Sequence, residues 1–451
     1  MKSKTKLLTS GSISKSIIFF AFPIFIGNLF QQLYMVVDTI VLGRYVNKEA
    51  LAAITSCGPL IFLLVGLFSG IFIGVGVVIS KFFGAKDIIN VKKAIHTTVA
   101  FALICSLILT IIGYFLTPQF LLWMKTPESV IDEATSYIQI YFLGISALVL
   151  FNSASGILQA LGDSKRPLYF LIIASILNII LDLYFVIELN LGTKGVALAT
   201  IISQGISAIL SYRILFITND IFKISIKEIK LDFNILKQFL LIGIPSGIQN
   251  SVISIANVFV QSSINIFGPI AMAGNGSMMR IQGFAFIPVT SFAMAMTTFT
   301  SQNIGACEFI RVKKGAKFGL LTAAILAQSL GILIYFYAPT LMRIFTENQA
   351  VIEIGILKAT ITNFLFFQLA ISHTMAGIYR GAGKSIIPMI VMLLFWCLFR
   401  VSYITIMLNF FNDIKIVFSA YPITWSLSAI IFIIYFFKGK WLNNNKLSSY
   451  N

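Results

Sequence analysis

Residues 171–187 read LIIASILNIILDLYFVI, a run long and apolar enough to cross a membrane, yet it carries Asn178 and Asp182. Side chains four positions apart lie on one face of a helix, so the amide and the carboxylate point the same way. A carboxylate near the middle of a span costs roughly 2.5–3.5 kcal/mol on insertion scales. One other acid, Asp38, lies deep in an apolar segment. We therefore expect Asp38 and Asp182 to act together.

The composition is that of a polytopic membrane protein. Hydrophobic residues make up 58% of the chain and charged residues 11%, whereas a soluble protein carries about 25% charged residues. The mean hydropathy is +0.93, and the longest polar stretch is the connector at 218–237. The four cysteines have no metal or redox spacing, so we expect no cofactor. We also expect no cleavable signal peptide, because the first apolar run continues into a full span.

Twelve segments approach or exceed the ~20 apolar residues that a membrane helix needs. They are 14–42, 50–80, 92–117, 129–160, 167–188, 195–217, 236–266, 270–301, 315–340, 350–379, 386–409 and 416–437. An even number of spans returns the chain to the side from which it started. Both termini are therefore predicted on one side of the membrane.

The distribution of basic residues indicates which side that is. Of the 33 Lys and Arg residues, 24 lie at the termini or in loops that follow even-numbered spans. The opposite side has seven, namely Arg44, Lys48, Lys125, Lys194, Arg343, Lys358 and Lys415. The positive-inside rule then predicts a cell-membrane protein with both termini in the cytoplasm. The net charge of +17 is thus a topology signal, and we expect no nucleic-acid partner because no basic domain could hold one.

An internal repeat divides the chain in two. Residues 80–94 (SKFFGAKDIINVKKA) match 301–315 (SQNIGACEFIRVKKG), and 156–167 match 377–388, both at a shift of 221. The sequence therefore predicts an all-α membrane protein with twelve helices in two pseudo-symmetric six-helix bundles, related by an axis along the membrane normal. We assign 1–217 to an N-lobe, 218–237 to a cytoplasmic connector and 238–451 to a C-lobe.

Polar stripes occur on the first and seventh spans, and these are candidate linings of a substrate cavity. The residues are Asn28, Gln31 and Met35, which precede Asp38, and Asn250, Asn257 and Gln261; Arg280 on the eighth span is a further candidate. Only the N-lobe stripe ends in an acid. The shift of 221 also pairs Asn178 with Phe399 and Asp182 with Tyr403. We therefore expect the titratable chemistry in the N-lobe alone.

The chain resembles the MATE (multidrug and toxic compound extrusion) transporters over nearly its whole length. The resemblance lies in VDTIVLG at 37–43, the Gly-Ala loops at Gly84 and Gly305, NIILD at 178–182 and GVALAT at 195–200. It implies export of amphipathic, often cationic compounds, driven by inward flow of H⁺ or Na⁺. One branch of the family uses acids, an amide and a hydroxyl that match Asp38, Asn178, Asp182 and Thr200 here. Other members carry acids on the seventh and tenth spans, where this chain reads SVISIANVF and FQLAISHT, without a carboxylate.

Either ion fits the residues. Alternating access needs a group whose charge state changes, and burial and a neighbouring carboxylate both disfavour the charged form of a carboxyl group. Na⁺ could instead take oxygens from Asp38, Asn178, Asp182 and Thr200. A purely structural alternative is that the two acids pair with Arg280 or Arg400.

Other functions fit less well. A lipid-linked oligosaccharide flippase of the same wider superfamily would favour a basic cavity, but this chain has two arginines within spans. An intramembrane aspartyl protease would need Tyr-Asp and Gly-x-Gly-Asp motifs, whereas Val37 precedes Asp38 and Leu181 precedes Asp182. Two bundles with a one-sided acid cluster suit a carrier better than a channel. We thus expect a non-enzymatic, monomeric antiporter whose partners are the lipid bilayer and a small amphipathic substrate.

The charge distribution makes a topology prediction. In a variant whose four native cysteines are replaced, Lys48→Cys should react with an impermeant maleimide added outside intact cells. Lys230→Cys should react only after the cells are permeabilised, because the connector is cytoplasmic. Labelling of both positions from the same side would contradict the twelve-span topology.

Overall fold

The computed structural model describes residues 7–45, 48–123 and 128–442, with the side chains of 39, 42–44, 48–64, 123 and 128–130 left out of the description. Over these residues it is helical, without a strand. Eleven helices are long and apolar enough to cross a membrane, and a bent pair forms a twelfth. The predicted fold class is confirmed.

The first six helices follow one another closely along the chain. They are α1 (Ile13–Tyr45), α2 (Lys48–Gly84), α3 (Ile88–Trp123), α4 (Glu128–Leu143 with Ile145–Ala160), α5 (Lys165–Leu183) and α6 (Gly192–Ile217). The two parts of α4 meet at an angle of 44°. A π-helical turn, Tyr184–Glu188, extends α5 immediately after Asp182.

The second half contains six more helices. They are α7 (Phe233–Asn265), α8 (Pro269–Gly305), α9 (Phe309–Arg343), α10 (Gln349–Gly381, with a 3₁₀ turn at Asn363–Leu365), α11 (Ile386–Phe410, with a π-helical segment at Leu393–Phe399) and α12 (Ile414–Lys438). Lys358 lies inside α10 and is buried. Its assignment to the outer face in the charge count is therefore wrong.

The helices form two compact units. The first contains Phe22–Gly243, and the second contains Leu8–Ala21 together with the chain from Ile244 onward. The first six residues of the segment that the sequence assigns to the C-lobe, 238–243, thus belong to the first unit, and part of α1 groups with the second. The lobe boundaries at 217 and 238 stay a prediction.

The connector is anchored to the start of α3. His96 Nε2 accepts a hydrogen bond of 3.1 Å from the backbone N–H of Ser225, and His96 Nδ1 lies 2.8 Å from the carbonyl oxygen of Lys92. Glu228 Oε2 lies 3.6 Å from His96 Nε2. Thr97 Oγ1 accepts from the backbone N–H of Asp232. These contacts give the connector a fixed place within the first unit.

The internal repeat is visible in the backbone of two pairs of turns. Lys86 and its counterpart Cys307 both have a φ of 59°, and Gly162 and its counterpart Gly383 have φ of 81° and 73°. In each turn two backbone N–H groups bond back to the end of the preceding helix, as in a Schellman motif. Two of these four residues are not glycine, so the repeat preserves a conformation that their side chains disfavour.

Two glycines allow α2 and α7 to touch backbone to backbone within the first unit. A Cβ atom on Gly74 would lie 2.7 Å from the backbone nitrogen of Gly243 and 2.9 Å from its Cα. Real Cβ atoms do not approach backbone so closely, and backbone cannot move aside as a side chain can. Small residues at such crossings are typical of packed membrane helices.

We expect Gly74→Ala to lower the melting temperature of the purified protein, because the added methyl group overpacks the crossing. Overpacking costs roughly 1–3 kcal/mol in unfolding free energy. Gly76→Ala is the matched control on the same helix, since its Cβ would meet nothing within 4 Å and alanine favours helix. Equal melting temperatures for Gly74→Ala and wild type would rule out this crossing.

Candidate ion-coupling site

Two carboxyl groups meet in the interior of the first unit. Helices α1 and α5 bring Asp38 and Asp182 within hydrogen-bonding reach of each other. Asp182 is fully buried and Asp38 is partly buried. Among the described residues, no donor reaches either oxygen of Asp182 or Oδ1 of Asp38. Two carboxylates only accept hydrogen bonds, so this arrangement is satisfied when a proton or a cation lies between them.

No positive side chain neutralises the pair. The ion pairs between described residues are Arg166–Asp163 and Lys415–Asp413, with a His96–Glu228 contact at 3.6 Å, and none of these includes Asp38 or Asp182. Arg280 is exposed, and Arg400 bonds to Thr424 in the second unit. In this part of the chain, neither Arg280 nor Arg400 forms an ion pair with Asp38 or Asp182.

Asn178 lies one turn before Asp182 on α5 and is 1% exposed. Its amide oxygen and amide nitrogen both lack a hydrogen-bond partner among the described residues. A buried polar group without a partner costs roughly 1–3 kcal/mol. The amide oxygen is a suitable ligand for a hard cation, so its orphaned state fits the oxygen-lined site expected from the sequence.

Tyr34 and Gln204 belong to this site, and sequence reasoning missed both. The hydroxyl group of Tyr34 hydrogen-bonds to the side chains of Gln31 and Gln204, and the Tyr34 ring lies close enough to Asp38 and Asp182 to feel their charge. Tyr34 and Gln204 are buried, and Gln204 Oε1 has no partner in the described structure. The available signal was helical spacing, since Tyr34 is one turn before Asp38.

Thr200 lies on α6, one turn before Gln204, and is half-buried. Its hydroxyl group donates a hydrogen bond of 3.0 Å to the carbonyl oxygen of Val196 in its own helix. The hydroxyl oxygen keeps its lone pairs, which could accept a bond or contact a cation. Thr200 does not donate to Asp182, whose oxygens lack donors. Its role as an ion ligand stays a prediction.

A small apolar cluster closes one end of the site. Val41, Val186 and Val196 are buried together, and Val37 packs against them. Each lies within about one turn of Asp38, Asp182 or Thr200, and Val41, Val186 and Val196 lie toward the end of the helices that the predicted topology places outside. This valine cluster gives the polar atoms an apolar neighbour on that side.

The candidate cavity residues are mostly at partly exposed positions. Asn28, Gln31, Asn250 and Gln261 are half-buried, whereas Met35, Asn257 and Arg280 are exposed. Gln261 donates to Asn265 Oδ1 and accepts from Asn275 Nδ2, both at 2.9 Å. Gln31 contacts the ion-coupling site through Tyr34. Their role as cavity lining stays a prediction.

The donor set suits a proton or an oxygen-preferring ion. In the described part of the chain, no group of three His, Cys, Asp or Glu side chains is placed to hold a metal. Asp38 Oδ1, the amide oxygens of Asn178 and Gln204, and both carboxylate oxygens of Asp182 lack donors in the described structure. These atoms could hold H⁺ between two carboxyl groups, or Na⁺ among carboxylate and amide oxygens.

The comparison with known families covers both halves of the chain. The MatE family model matches residues 23–184 and 245–411. The chain is 28% identical over 450 residues to the probable multidrug resistance protein YoeA of Bacillus subtilis, which covers 96% of this chain and 95% of that protein. It is 25% identical over 405 residues to the probable multidrug resistance protein NorM of Thermotoga maritima, and this match covers 89% of this chain and 87% of that protein.

Solved structures show the same fold. A multidrug resistance MATE family transporter in an outward-facing conformation superposes with a TM-score of 0.90 at 23% identity, covering 96% of this chain and 97% of that one. A MATE protein in a straight conformation also gives a TM-score of 0.90, at 22% identity, covering 96% and 98%.

Replacing one acid of the pair should stabilise the protein. Asp182→Asn removes the repulsion between two carboxyl groups and supplies a donor to Asp38, so we expect a gain of roughly 0.5–2 kcal/mol in unfolding free energy, the range of typical stabilising changes. The measurement is the melting temperature of purified protein at neutral pH without Na⁺.

The control for this prediction is another buried acid of the first unit. Asp163 pairs with Arg166 at 3.3 Å and accepts from the backbone N–H groups of Lys165 and Arg166. Asp163→Asn should destabilise, because breaking a buried ion pair costs about 3–5 kcal/mol. If Asp182→Asn destabilises as much as Asp163→Asn, the Asp38–Asp182 pair is a structural one.

Proposed function

The chain belongs to the MatE family, and on that premise we propose that it is a cation-coupled antiporter. It exports amphipathic, cationic organic compounds across the cell membrane by alternating access, using the inward flow of H⁺ or Na⁺. The observation that carries the proposal is the buried Asp38–Asp182 pair, whose oxygens lack donors. The protein acts as a transporter, without a chemical step on its substrate.

The acid pair gives the ion a way to change the conformation. When one proton is shared by Asp38 and Asp182, their repulsion is removed and one oxygen gains a donor. When the proton leaves, two negative charges remain close together in apolar surroundings, which favours any conformation that separates or hydrates them. An ion shifts a conformational equilibrium only by binding one state better than the other. In this proposal, the valine cluster on one side of the site and the orphaned oxygens on the other make the affinity for the ion differ between the two conformations.

Na⁺ would act on the same atoms. Asp38, Asn178, Asp182 and Thr200 would hold it through carboxylate, amide and hydroxyl oxygens. It would neutralise the acids and engage the amide oxygen of Asn178, which lacks a donor in this structure. Tyr34 and Gln204 would position the acids from α1 and α6 in either case.

The cargo assignment rests on relatives and on the character of the stripes. The relatives named above are multidrug resistance proteins, and a negatively charged site attracts cations. We assign Asn28, Gln31 and Met35, beside the acid pair along α1, to the cargo-binding surface. Asn250, Asn257, Gln261 and Arg280 are assigned to a cargo-binding surface of the second unit. The working unit is one chain, with both termini in the cytoplasm.

The test is transport in proteoliposomes, with a cationic dye as cargo and H⁺ and Na⁺ gradients imposed separately. We expect one of the two gradients to drive dye movement in the wild-type protein. Asp38→Asn and Asp182→Asn each mimic a permanently protonated acid, so their gradient-driven rate should fall to that of protein-free liposomes, at equal amounts of folded protein.

Tyr403→Phe is the matched control, because the repeat pairs Tyr403 with Asp182 and its hydroxyl group bonds to Ser419 at 3.0 Å. It should retain gradient-driven transport. Wild-type rates in both acid variants, or loss of coupling in Tyr403→Phe alone, would overturn the assignment of coupling to the first unit.

A further inference from the structure

The second unit buries two positive charges against one aromatic ring. Lys358 on α10 is 2% exposed and Arg400 on α11 is 1% exposed. The Lys358 Nζ atom lies 5.6 Å from the ring centroid of Tyr421, and the Arg400 Cζ atom lies 4.8 Å from it. Charged side chains within a span are costly and mark functional sites by default.

The polar partners of these two charges are neutral. Lys358 Nζ donates a hydrogen bond of 2.8 Å to Asn275 Oδ1, and Arg400 Nε and Nη2 both donate to Thr424 Oγ1, at 3.3 and 2.7 Å. No carboxylate of the described residues forms an ion pair with Lys358 or Arg400. Two like charges thus share the Tyr421 ring without a counter-charge from this part of the chain.

Donor capacity is left over on both groups. A lysine ammonium has three N–H donors and an arginine guanidinium has five. One bond from Lys358 and two from Arg400 are accounted for within the described structure. The Nη1 group of Arg400 and the remaining N–H groups of the Lys358 ammonium can each donate a hydrogen bond to a further acceptor.

A chain of amides fixes the lysine. Asn275 Nδ2 donates to Gln261 Oε1, and Gln261 Nε2 donates to Asn265 Oδ1. These bonds orient the Asn275 amide so that its oxygen faces Lys358. The ammonium group is therefore held in place by a neutral network, which positions its charge without cancelling it.

Part of this cluster corresponds in the repeat to the ion-coupling site, and its polarity is the opposite. The shift of 221 that aligns the two halves pairs Thr200 with Tyr421 and Asp182 with Tyr403, one turn from Arg400. The first unit leaves acceptor oxygens without donors. The second unit leaves donors of two cations without an anionic acceptor.

We propose that Lys358, Arg400 and Tyr421 form an anion-binding site in the second unit, which takes the carboxylate group of a small organic anion. A planar guanidinium matches a carboxylate through two parallel hydrogen bonds, and the ammonium adds a point charge. Trp396 lies 5.3 Å from Arg400, and Phe418 lies 6.0 Å from Lys358. These rings pack against the two cations and make the surroundings of the site apolar and aromatic, as in many small-molecule sites. The site does not depend on the proposed function, because it is defined by binding alone.

The test is calorimetric titration of the purified, full-length protein in a neutral detergent and a chloride-free buffer. Benzoate is the probe, added at constant ionic strength, and benzylammonium is the probe of opposite charge with a similar body. We expect benzoate to bind at one saturable site and benzylammonium not to bind there. Lys358→Gln and Arg400→Gln should each weaken benzoate binding about tenfold or more, as expected for loss of a charged hydrogen bond.

Two control variants accompany the titration. Lys415→Gln removes an exposed lysine at the start of α12, whose side chain is 62% exposed, and should bind benzoate like wild type. Asp182→Asn should also bind benzoate normally, even where it abolishes transport, so failure of the coupling proposal and failure of this one are distinguishable. A melting curve confirms that each variant is folded.

Several results would overturn the proposal. These are no saturable benzoate binding to wild type, equal binding of benzylammonium, or wild-type benzoate affinity in both Lys358→Gln and Arg400→Gln. Saturable binding of chloride without binding of benzoate would make this a halide site and reject the carboxylate assignment. If Arg400→Gln does not fold, Lys358→Gln and the two probes of opposite charge decide.

Discussion

The first unit is organised around two carboxyl groups that meet away from water. Neither Asp38 nor Asp182 has a cationic partner in the described structure, and both oxygens of Asp182 lack donors. Such a pair is stable only with a bound proton or cation, so its surroundings must admit that ion and exclude water. Tyr34 and Gln204 hold the polar side of the site, and the valine cluster closes the other. The need to neutralise this pair links the packing of α1, α5 and α6 to ion binding.

Much of this architecture could be predicted from the sequence because membrane helices obey strict length and composition rules. The repeat at 80–94 and 301–315 also predicts equivalent turns in the two halves. In the structure, Lys86 and Cys307 share an unusual φ at these turns. The convergence of Asp38 and Asp182 followed from the rarity of acids within spans. Tyr34 and Gln204 could not be selected in this way, since tyrosine and glutamine are not costly enough within a helix to stand out. They become part of the site only when three helices pack together.

The second unit was harder to interpret because charge counts assign residues by position along a span. Lys358 lies near the start of α10, at a position that the charge count assigns to the outer face, yet it is 2% exposed. Burial here results from tertiary contacts with Asn275, Phe418 and Tyr421, which come from two other helices. A count of basic residues contains no information about such contacts. Likewise, the grouping of Leu8–Ala21 with the second unit reflects packing that local sequence does not encode.

Several buried polar groups of the second unit satisfy one another, in contrast to the charges of Lys358 and Arg400. Ser428 Oγ lies 2.8 Å from Ser372 Oγ and accepts from Trp396 Nε1 at 2.9 Å, while the Tyr379 hydroxyl group donates to the Phe432 carbonyl oxygen. Buried donors and acceptors are normally paired in this manner. Orphaned atoms also occur elsewhere in the described structure, for example on Thr110 and Ser155 in the first unit and on His373 and Arg380 in the second. Asp38, Asn178 and Asp182 in one unit are different because several strong acceptors converge, and the excess donors of Lys358 and Arg400 converge in the other. Since two repeats with the same turns carry opposite unpaired groups, the fold does not dictate the polarity of its sites. The two repeats thus carry unpaired polar groups of opposite kind within the same helical frame.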